Sequence, residues 1–128
     1  MELFNNLQGI TTLLIDDDEW IRDSLTLLFE SESCSLVALE TAEDGIKALT
    51  KQSYDIIIVD YRLPGMNGLE FLEWIQDYNP DAVKILITAY SDKDLISRAQ
   101  KIGVQDFIEK PFTSEAIHKS LSRLIKEH

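Results

Sequence analysis

Short apolar runs alternate along this chain with longer segments of helical period, and this alternation restricts the possible folds more than any other feature. Three runs are almost wholly apolar: Thr12–Ile15, Ile56–Val59 and Val83–Ile87. Two weaker candidates, Leu36–Leu39 and Val104–Ile108, lie in the stretches Cys34–Glu40 and Val104–Glu109, which are mixed with polar residues. Between them, apolar residues recur at the spacing of one helix face, as in Ile21–Leu25–Leu28–Phe29 and Ile117–Leu121–Leu124–Ile125. Five strands alternating with five helices predict a parallel sheet covered on both faces, because right-handed crossovers place a helix on each connection.

The composition of the runs predicts the strand order. Interior strands of a parallel sheet are buried on both faces and are apolar throughout, so the three apolar runs take the interior and the two mixed runs the edges. This fits a flavodoxin-like α/β fold, a doubly wound (βα)5 unit of five strands in the order 2-1-3-4-5. No repeat or linker indicates a second domain. We therefore expect an N-terminal extension at 1–10 and one domain at 11–128.

Length and charge exclude several classes of protein. A chain of 128 residues that is 45% apolar can bury a core without disulfide or zinc cross-links. Twelve Lys and Arg against 23 Asp and Glu give a net charge of −11, which argues against direct binding to nucleic acid or to an anionic membrane. The single cysteine, Cys34, excludes an internal disulfide. With no apolar run near the ~20 residues of a membrane span, we expect a cytoplasmic protein.

Polar residues collect at the carboxyl ends of the strands. The first strand is followed by Asp16-Asp17-Asp18-Glu19, the third by Asp60, the fourth by Thr88 and the fifth by Glu109-Lys110-Pro111. Ligands bind at this edge of an open parallel sheet, where the strand order reverses. Because neighbouring strands lie about 4.8 Å apart, we expect Asp16 or Asp17 to come within a few Å of Asp60. Lys110 starts about 10 Å from Asp60, a gap that its side chain largely bridges.

Three carboxylates this close require a cation or a proton. Each pair repels by about 3 kcal/mol at an effective dielectric near 20, so the cluster is stable only if a group is protonated or a cation lies among them. Oxygen ligands without His or Cys select a hard ion, and Mg²⁺ is the first expectation. For Asp18 and Glu19, capping of the next helix is a sufficient role. Trp20 follows them, and we interpret it as half-buried helix packing.

A hydroxyl and an ammonium complete a set of groups suited to phosphoryl transfer. Thr88 and Lys110 offer donors and positive charge around the central carboxyl of Asp60, as a transferring phosphoryl group requires. A carboxylate can itself be the nucleophile. No glycine-rich nucleotide-binding motif is present in the sequence, so a nucleotide is not indicated.

These strand ends resemble the receiver domain of two-component response regulators. The resemblance extends from about Thr11 to the end of the chain and rests on four segments: Leu14–Asp18, Ile58–Gly68, Ile87–Ala89 and Lys110–Phe112. It implies a signalling switch that catalyses phosphotransfer onto itself, rather than an enzyme with turnover. The donor would be a histidine kinase or a phosphotransfer protein, and small donors such as acetyl phosphate would also serve.

The resemblance also implies the roles of the acids. Asp60 would be the phosphate acceptor. Asp17 and Asp60, with the backbone carbonyl of Arg62, would ligate Mg²⁺, and Asp16 would assist directly or through water. Thr88 would hydrogen-bond the phosphoryl oxygens.

The same resemblance implies how the switch works. Phosphorylation adds about −1.5 to −2 charge at the acceptor, and Thr88 and Lys110 would move towards it. The space that Thr88 leaves would admit the ring of Phe107, where many members of the family carry Tyr. The face formed by the fourth helix, fifth strand and fifth helix would then be read by a downstream protein, by an output domain outside this chain or by a second copy in a homodimer.

Two other interpretations remain open at this point. In a haloacid-dehalogenase-like phosphatase, Asp16 would be the nucleophile and Asp18 the acid. In a receiver-shaped interaction module, the chain would bind its partner without phosphorylation. Lys110 pointing to a different side from Asp60 would contradict the receiver interpretation.

Two positions predict the lifetime of the phosphorylated form. Arg62 and Tyr90 lie two residues after Asp60 and Thr88, where side chains of this family flank the path of hydrolytic water. Both are large, so we predict slow self-dephosphorylation, and Arg62→Ala and Tyr90→Ala should each shorten the half-life of the aspartyl phosphate. The decay of the phosphorylated band on Phos-tag gels measures this. An unchanged half-life in both variants would mean that the two side chains simply point to solvent.

Overall fold

A computed structural model of the protein describes residues 7–89 and 93–127, with the side chains of 126 and 127 left aside. In this part of the chain a helix follows each of five strands. The elements are β1 Thr11–Ile15, α1 Glu19–Ser31, β2 Ser35–Leu39, α2 Ala42–Lys51, β3 Ile56–Asp60, α3 Gly68–Ile75, β4 Val83–Thr88, α4 Lys93–Lys101, β5 Asp106–Glu109 and α5 Ser114–Glu127.

The sheet has the predicted order, β2-β1-β3-β4-β5, and the pairs between neighbouring strands are parallel. Leu14 of β1 lies opposite Ala38 of β2 on one side and Ile58 of β3 on the other. Every residue of β3 and β4 is buried, whereas β2 and β5 are largely half-exposed. The polar content of the runs therefore separated interior from edge strands correctly, because only an edge strand leaves part of its surface to water.

The two faces of the sheet carry separate apolar layers. Alternate residues of each strand point to opposite faces, so Leu13 and Ile57 join one layer while Leu14 and Ile58 join the other. The first layer packs under α2, α3 and α4, and the second under α1 and α5. With both faces covered, the polar strand ends remain at one edge of the sheet. Among the described residues, no helix is both long enough and apolar enough to span a bilayer.

Polar caps begin the helices that lead away from this edge. The Asp18 carboxylate accepts hydrogen bonds from the backbone amides of Trp20 and Ile21, as the capping interpretation requires. Asn67 and Glu70 form a reciprocal capping box at the start of α3. These caps fix where each loop ends, and so where the side chains at the edge of the sheet begin.

Gly68 brings the start of α3 against the end of β3. A Cβ at this position would overlap the backbone carbonyl oxygen of Asp60, and the Gly68 amide donates to the carbonyl of Tyr61 at 2.9 Å. Only glycine permits this close approach of two backbones. The turn after β3 is therefore held tightly beneath the Asp60 side chain.

Residues 7–10 are the described part of the expected N-terminal extension, and they contact the domain. The Leu7 side chain is 1% exposed and lies in the same apolar layer as Leu14, Phe29 and Cys34. Gln8 donates from its side-chain amide to the backbone carbonyl of Glu32 at 3.2 Å. Leu7 thus belongs to the core and Ile10 packs against it, while 1–6 lie outside the described residues.

We predict that Leu7→Ala lowers the free energy of unfolding by about 2–4 kcal/mol, because it leaves a cavity in a closed apolar layer. Urea denaturation monitored by far-UV circular dichroism measures the change. Leu27→Ala is the matched control, since Leu27 is 66% exposed and its truncation should cost less than about 0.5 kcal/mol. Equal effects of the two substitutions would show that Leu7 does not belong to the core.

Candidate functional site

Three carboxylates meet where β1 and β3 end. Asp16, Asp17 and Asp60 each place a carboxylate oxygen within 4.8 Å of the others. Asp16 is completely buried and Asp60 is 3% exposed, while Asp17 is open to solvent. The expected meeting of these acids is observed, because adjacent parallel strands end at the same edge of the sheet.

Lys110 reaches the cluster from the end of β5. Its Nζ lies 2.9 Å from Oδ2 of Asp60 and 3.3 Å from Oδ2 of Asp16. The Lys110 backbone amide donates to the carbonyl of Thr88 at 2.9 Å, which fixes the start of the side chain. The Lys110–Pro111 peptide bond is cis. Lys110 therefore points to the same side as Asp60, as the receiver interpretation requires.

Burial dominates the electrostatics of the two inner acids. It raises the pKa of Asp16 from 3.8 to about 6, against the opposing effects of the Asp18 amide and of Lys110. It also raises the pKa of Asp60, although Lys110 and the backbone amide of Arg62 hydrogen-bond that carboxylate and favour its charged form. Burial lowers the pKa of Lys110, but the two carboxylates outweigh it and the net shift is upwards. The single positive charge of Lys110 therefore does not fully compensate the negative charge of this cluster.

The donor set fits a hard divalent cation. Oδ2 of Asp16 is buried and makes no hydrogen bond to any of the described residues, although it lies 3.3 Å from the Lys110 ammonium. A buried carboxylate oxygen without a hydrogen bond is costly unless a cation or proton satisfies it. The exposed Asp17 gives such an ion an open approach from solvent. Three carboxylate oxygens without nitrogen or sulfur ligands suit Mg²⁺, the expected ion.

The remaining expected site residues lie around this cluster or outside the described residues. Thr88 is buried at the end of β4, whose residue Ile87 pairs with Asp60. Arg62 is exposed just beyond Asp60. Phe107 is half-buried on β5, opposite Leu86, and packs against the layer under α2–α4. Tyr90 lies outside the described residues.

The prediction for Trp20 is wrong. This side chain is 78% exposed, because the stripe that packs on the sheet begins one residue later and runs through Leu25 and Phe29. Trp20 instead borders a groove of about 550 Å³ between the start of α1 and the loop after β5. Phe112 lines its other side, and Lys110 lies where the groove meets the acid cluster. An exposed aromatic side chain thus stands beside the candidate site.

The arrangement of Asp18 disfavours the phosphatase interpretation. Its carboxylate accepts hydrogen bonds of 2.9 Å and 3.3 Å from two amides of the first turn of α1. These bonds engage the carboxylate as the cap of α1, whereas a general acid must be free to donate a proton to its substrate. Asp16 is also not positioned as an isolated nucleophile, because it shares Lys110 with Asp60.

One residue near the cluster was missed by the sequence reasoning. Arg22 donates from Nη1 to the backbone carbonyl of Asp16 at 2.9 Å. A cation close to the amino end of a helix opposes the helix dipole, so its presence there indicated another role. Its partner is a backbone carbonyl six residues earlier, which no spacing of side-chain types reveals.

The Asp16 pKa predicts an unusual dependence of stability on pH. A carboxyl with a pKa near 6 in the folded state and 3.8 in its ordinary state binds its proton more tightly when folded. In metal-free protein its contribution to the free energy of unfolding is therefore present below pH 4 and is lost as the pH rises through 6, by about 3 kcal/mol at most. Urea denaturation between pH 4 and 7 should show a flatter profile for Asp16→Asn than for the wild type. Asp23→Asn, at an exposed position of α1, should keep the wild-type slope; equal slopes for Asp16→Asn and the wild type would contradict the assignment.

Comparison with known proteins identifies the family. The model of the response regulator receiver domain matches residues 12–122. A crystal structure of a CheY-like response regulator receiver domain protein from Methanospirillum hungatei JF-1 superposes with a TM-score of 0.86 at 25% identity, covering 92% of this chain and 94% of that one.

Two curated relatives are longer proteins. The transcriptional regulatory protein FixJ of Bradyrhizobium diazoefficiens is 30% identical over 114 residues, which are 89% of this chain and 56% of the relative. A cyclic di-GMP phosphodiesterase of Thermotoga maritima is 26% identical over 117 residues, which are 91% of this chain and 31% of the relative. The chain thus spans from about a third to just over half of the length of these relatives. From its acid cluster, its strand order and these matches, the chain belongs to the response regulator receiver domain family.

Proposed function

We propose that the protein is a phosphorylation-activated switch in which Asp60 accepts a phosphoryl group with Mg²⁺ bound beside it. The observation that carries this proposal is the position of the Asp60 carboxylate. It lies 2.9 Å from the Lys110 ammonium and within 4.8 Å of oxygens of Asp16 and Asp17. A fixed cation and a set of metal ligands thus surround the carboxyl group that would act as the nucleophile.

The transfer step follows from these groups. A carboxylate oxygen of Asp60 attacks the phosphorus atom of a phosphohistidine, a P–O bond forms, the P–N bond breaks, and the histidine nitrogen leaves with the bonding pair. Lys110 stabilises the negative charge on the phosphoryl oxygens. When bound by Asp16, Asp17, Asp60 and the carbonyl of Arg62, Mg²⁺ supplies further positive charge at those oxygens.

The groove beside Trp20 supports a protein as the phosphoryl donor. It ends at Lys110, so a surface that fills it is already next to the acceptor. Its walls at Trp20 and Phe112 are aromatic, a residue type that is enriched at protein interfaces, and Asp18 adds negative charge at one end. We infer that a histidine kinase or phosphotransfer protein docks here, in the cytoplasm.

The output side of the proposal is built on β5. Thr88 and Lys110 move towards the phosphoryl group, and the ring of Phe107 takes the space that Thr88 leaves. The face of α4, β5 and α5 then changes shape for its reader. That reader is a downstream protein, an attached output domain such as those that the longer relatives have room for, or a second copy of the chain.

The size of Arg62 and Tyr90 supports a long-lived phosphorylated form. Arg62 follows Asp60 by two residues and its side chain is exposed. A long side chain at this position can shield the acyl phosphate from water. The lifetime remains a prediction that the half-lives of the two alanine variants test.

We predict that the wild-type protein forms an acid-stable, hydroxylamine-sensitive acyl phosphate only when Mg²⁺ is present, and that Asp60→Asn abolishes it. Phos-tag gels after incubation with acetyl phosphate or with a phosphorylated histidine kinase measure the product. Asp23→Asn, which removes an exposed acid from α1, is the matched control and should be labelled like the wild type. Labelling that persists in Asp60→Asn and disappears in Asp16→Asn at saturating Mg²⁺ would favour the phosphatase chemistry instead. Partner binding that is unchanged both by Asp60→Asn and by beryllofluoride would favour an interaction module.

We further predict that Trp20→Ala slows phosphotransfer from a protein donor about tenfold or more, because a central aromatic contact of an interface is worth about 2 kcal/mol. Labelling by acetyl phosphate should keep its wild-type rate, since that donor needs no docking surface. Rapid-quench measurement of both rates tests this. Tyr78→Ala, a variant of another exposed aromatic residue that does not line the groove, should leave both rates unchanged. Equal rates of protein-dependent transfer in Trp20→Ala and the wild type would remove the groove from the docking surface.

A further inference from the structure

We propose that Arg22 is a positioning residue for the β1–α1 turn, the three residues 16–18 that carry two of the three clustered acids. Its guanidinium donates to the backbone carbonyl of Asp16 at 2.9 Å, while its own backbone amide donates to the carbonyl of Asp18 at 3.1 Å. One residue of α1 thus contacts both ends of the turn. The proposal rests on the proposed function where it concerns Mg²⁺.

The contact completes a three-point attachment of Asp16. The backbone amide of this residue donates to the carbonyl of Leu39 at 3.0 Å, which ties it to β2. Its carboxylate accepts from the amide of Asp18 at 2.9 Å and lies beside the Lys110 ammonium. The carbonyl is the remaining polar group, and Arg22 binds it. Asp17 is exposed between two fixed neighbours, so its direction depends on how firmly the turn is held.

The choice of a cation for this role is informative. Arg22 lies one turn from the amino end of α1, where a positive charge opposes the helix dipole. A guanidinium remains charged at every physiological pH and presents several donors in a rigid plane. Its hydrogen bond to the Asp16 carbonyl is therefore stronger than a neutral donor would make. The bond fixes the turn without adding a group that competes for the carboxylate oxygens.

Positioning and simple charge compensation predict opposite results. If Arg22 acted only as a nearby positive charge, its removal would make the acid cluster more negative and tighten Mg²⁺ binding. If it positions the turn, its removal lets Asp17 move away from the site and weakens binding, as loss of groups that orient metal ligands does. The sign of the change in affinity distinguishes the two roles.

The test compares Arg22→Met, Arg22→Lys and the wild type by two measurements. Hydrogen exchange in metal-free protein, followed by NMR, should show the Asp18 amide exchanging about tenfold faster in Arg22→Met, because its acceptor is less firmly held. Titration calorimetry should show Mg²⁺ binding about five- to tenfold weaker in Arg22→Met. Arg22→Lys keeps the charge and one donor, so it should recover part of both losses.

Arg123→Met is the matched control, because it removes a cation of α5 that pairs with Asp106 of β5, outside the cluster. It should change neither measurement. Unchanged exchange of Asp18, or equal or tighter Mg²⁺ binding in Arg22→Met, would overturn the positioning role. If the wild type itself fails to bind Mg²⁺, the metal part of the proposed function fails, and the exchange of Asp18 alone then decides the role of Arg22.

Discussion

The ion-pair cluster of Lys110 with Asp16 and Asp60 is the interaction on which the functional end of this molecule depends. Two buried carboxylates share one ammonium, at 3.3 Å and 2.9 Å, in a place where burial raises the pKa of both acids. The negative charge of such a cluster is only partly compensated, and within the described part of the chain one buried oxygen of Asp16 has no hydrogen bond. A divalent cation bound there would therefore stabilise the site. The uncompensated negative charge makes this edge of the sheet responsive to ligands.

The rest of the fold holds this cluster in place. The interior strands β1, β3 and β4 are apolar and covered by helices, so their register is fixed by burial on both faces. Helix caps and the close backbone approach at Gly68 determine where each loop ends. Burial of the large apolar core thus stabilises a fold that holds together a small cluster of polar groups, which would be unstable by itself.

In the function proposed above, the phosphoryl donor and the reader of the output face would contact different surfaces. The groove at Trp20 and Phe112 opens beside Lys110, whereas Phe107 lies on the layer under α2–α4. Lys110 and Phe107 are both on or directly after β5, three residues apart. Under the proposed function, movement at Asp60 would pass along β5, an edge strand that is more easily displaced than an interior strand because it has a single neighbour.

Periodicity and polarity in the sequence determined the architecture. Apolar runs separated interior from edge strands, because burial follows from residue type. Acids at the strand ends identified the site, because the carboxyl ends of parallel strands lie at the same edge of the sheet. Asp18 was recognisable as a cap for the same reason, since capping is local. Tertiary structure alone decided the rest: the exposure of Trp20, the burial of Leu7 and the contact of Arg22 with the carbonyl of Asp16. The exposure of Trp20 and the burial of Leu7 depend on which surface a neighbouring element covers, and the contact of Arg22 depends on the position of a backbone carbonyl. The spacing of side chains along one segment encodes neither property.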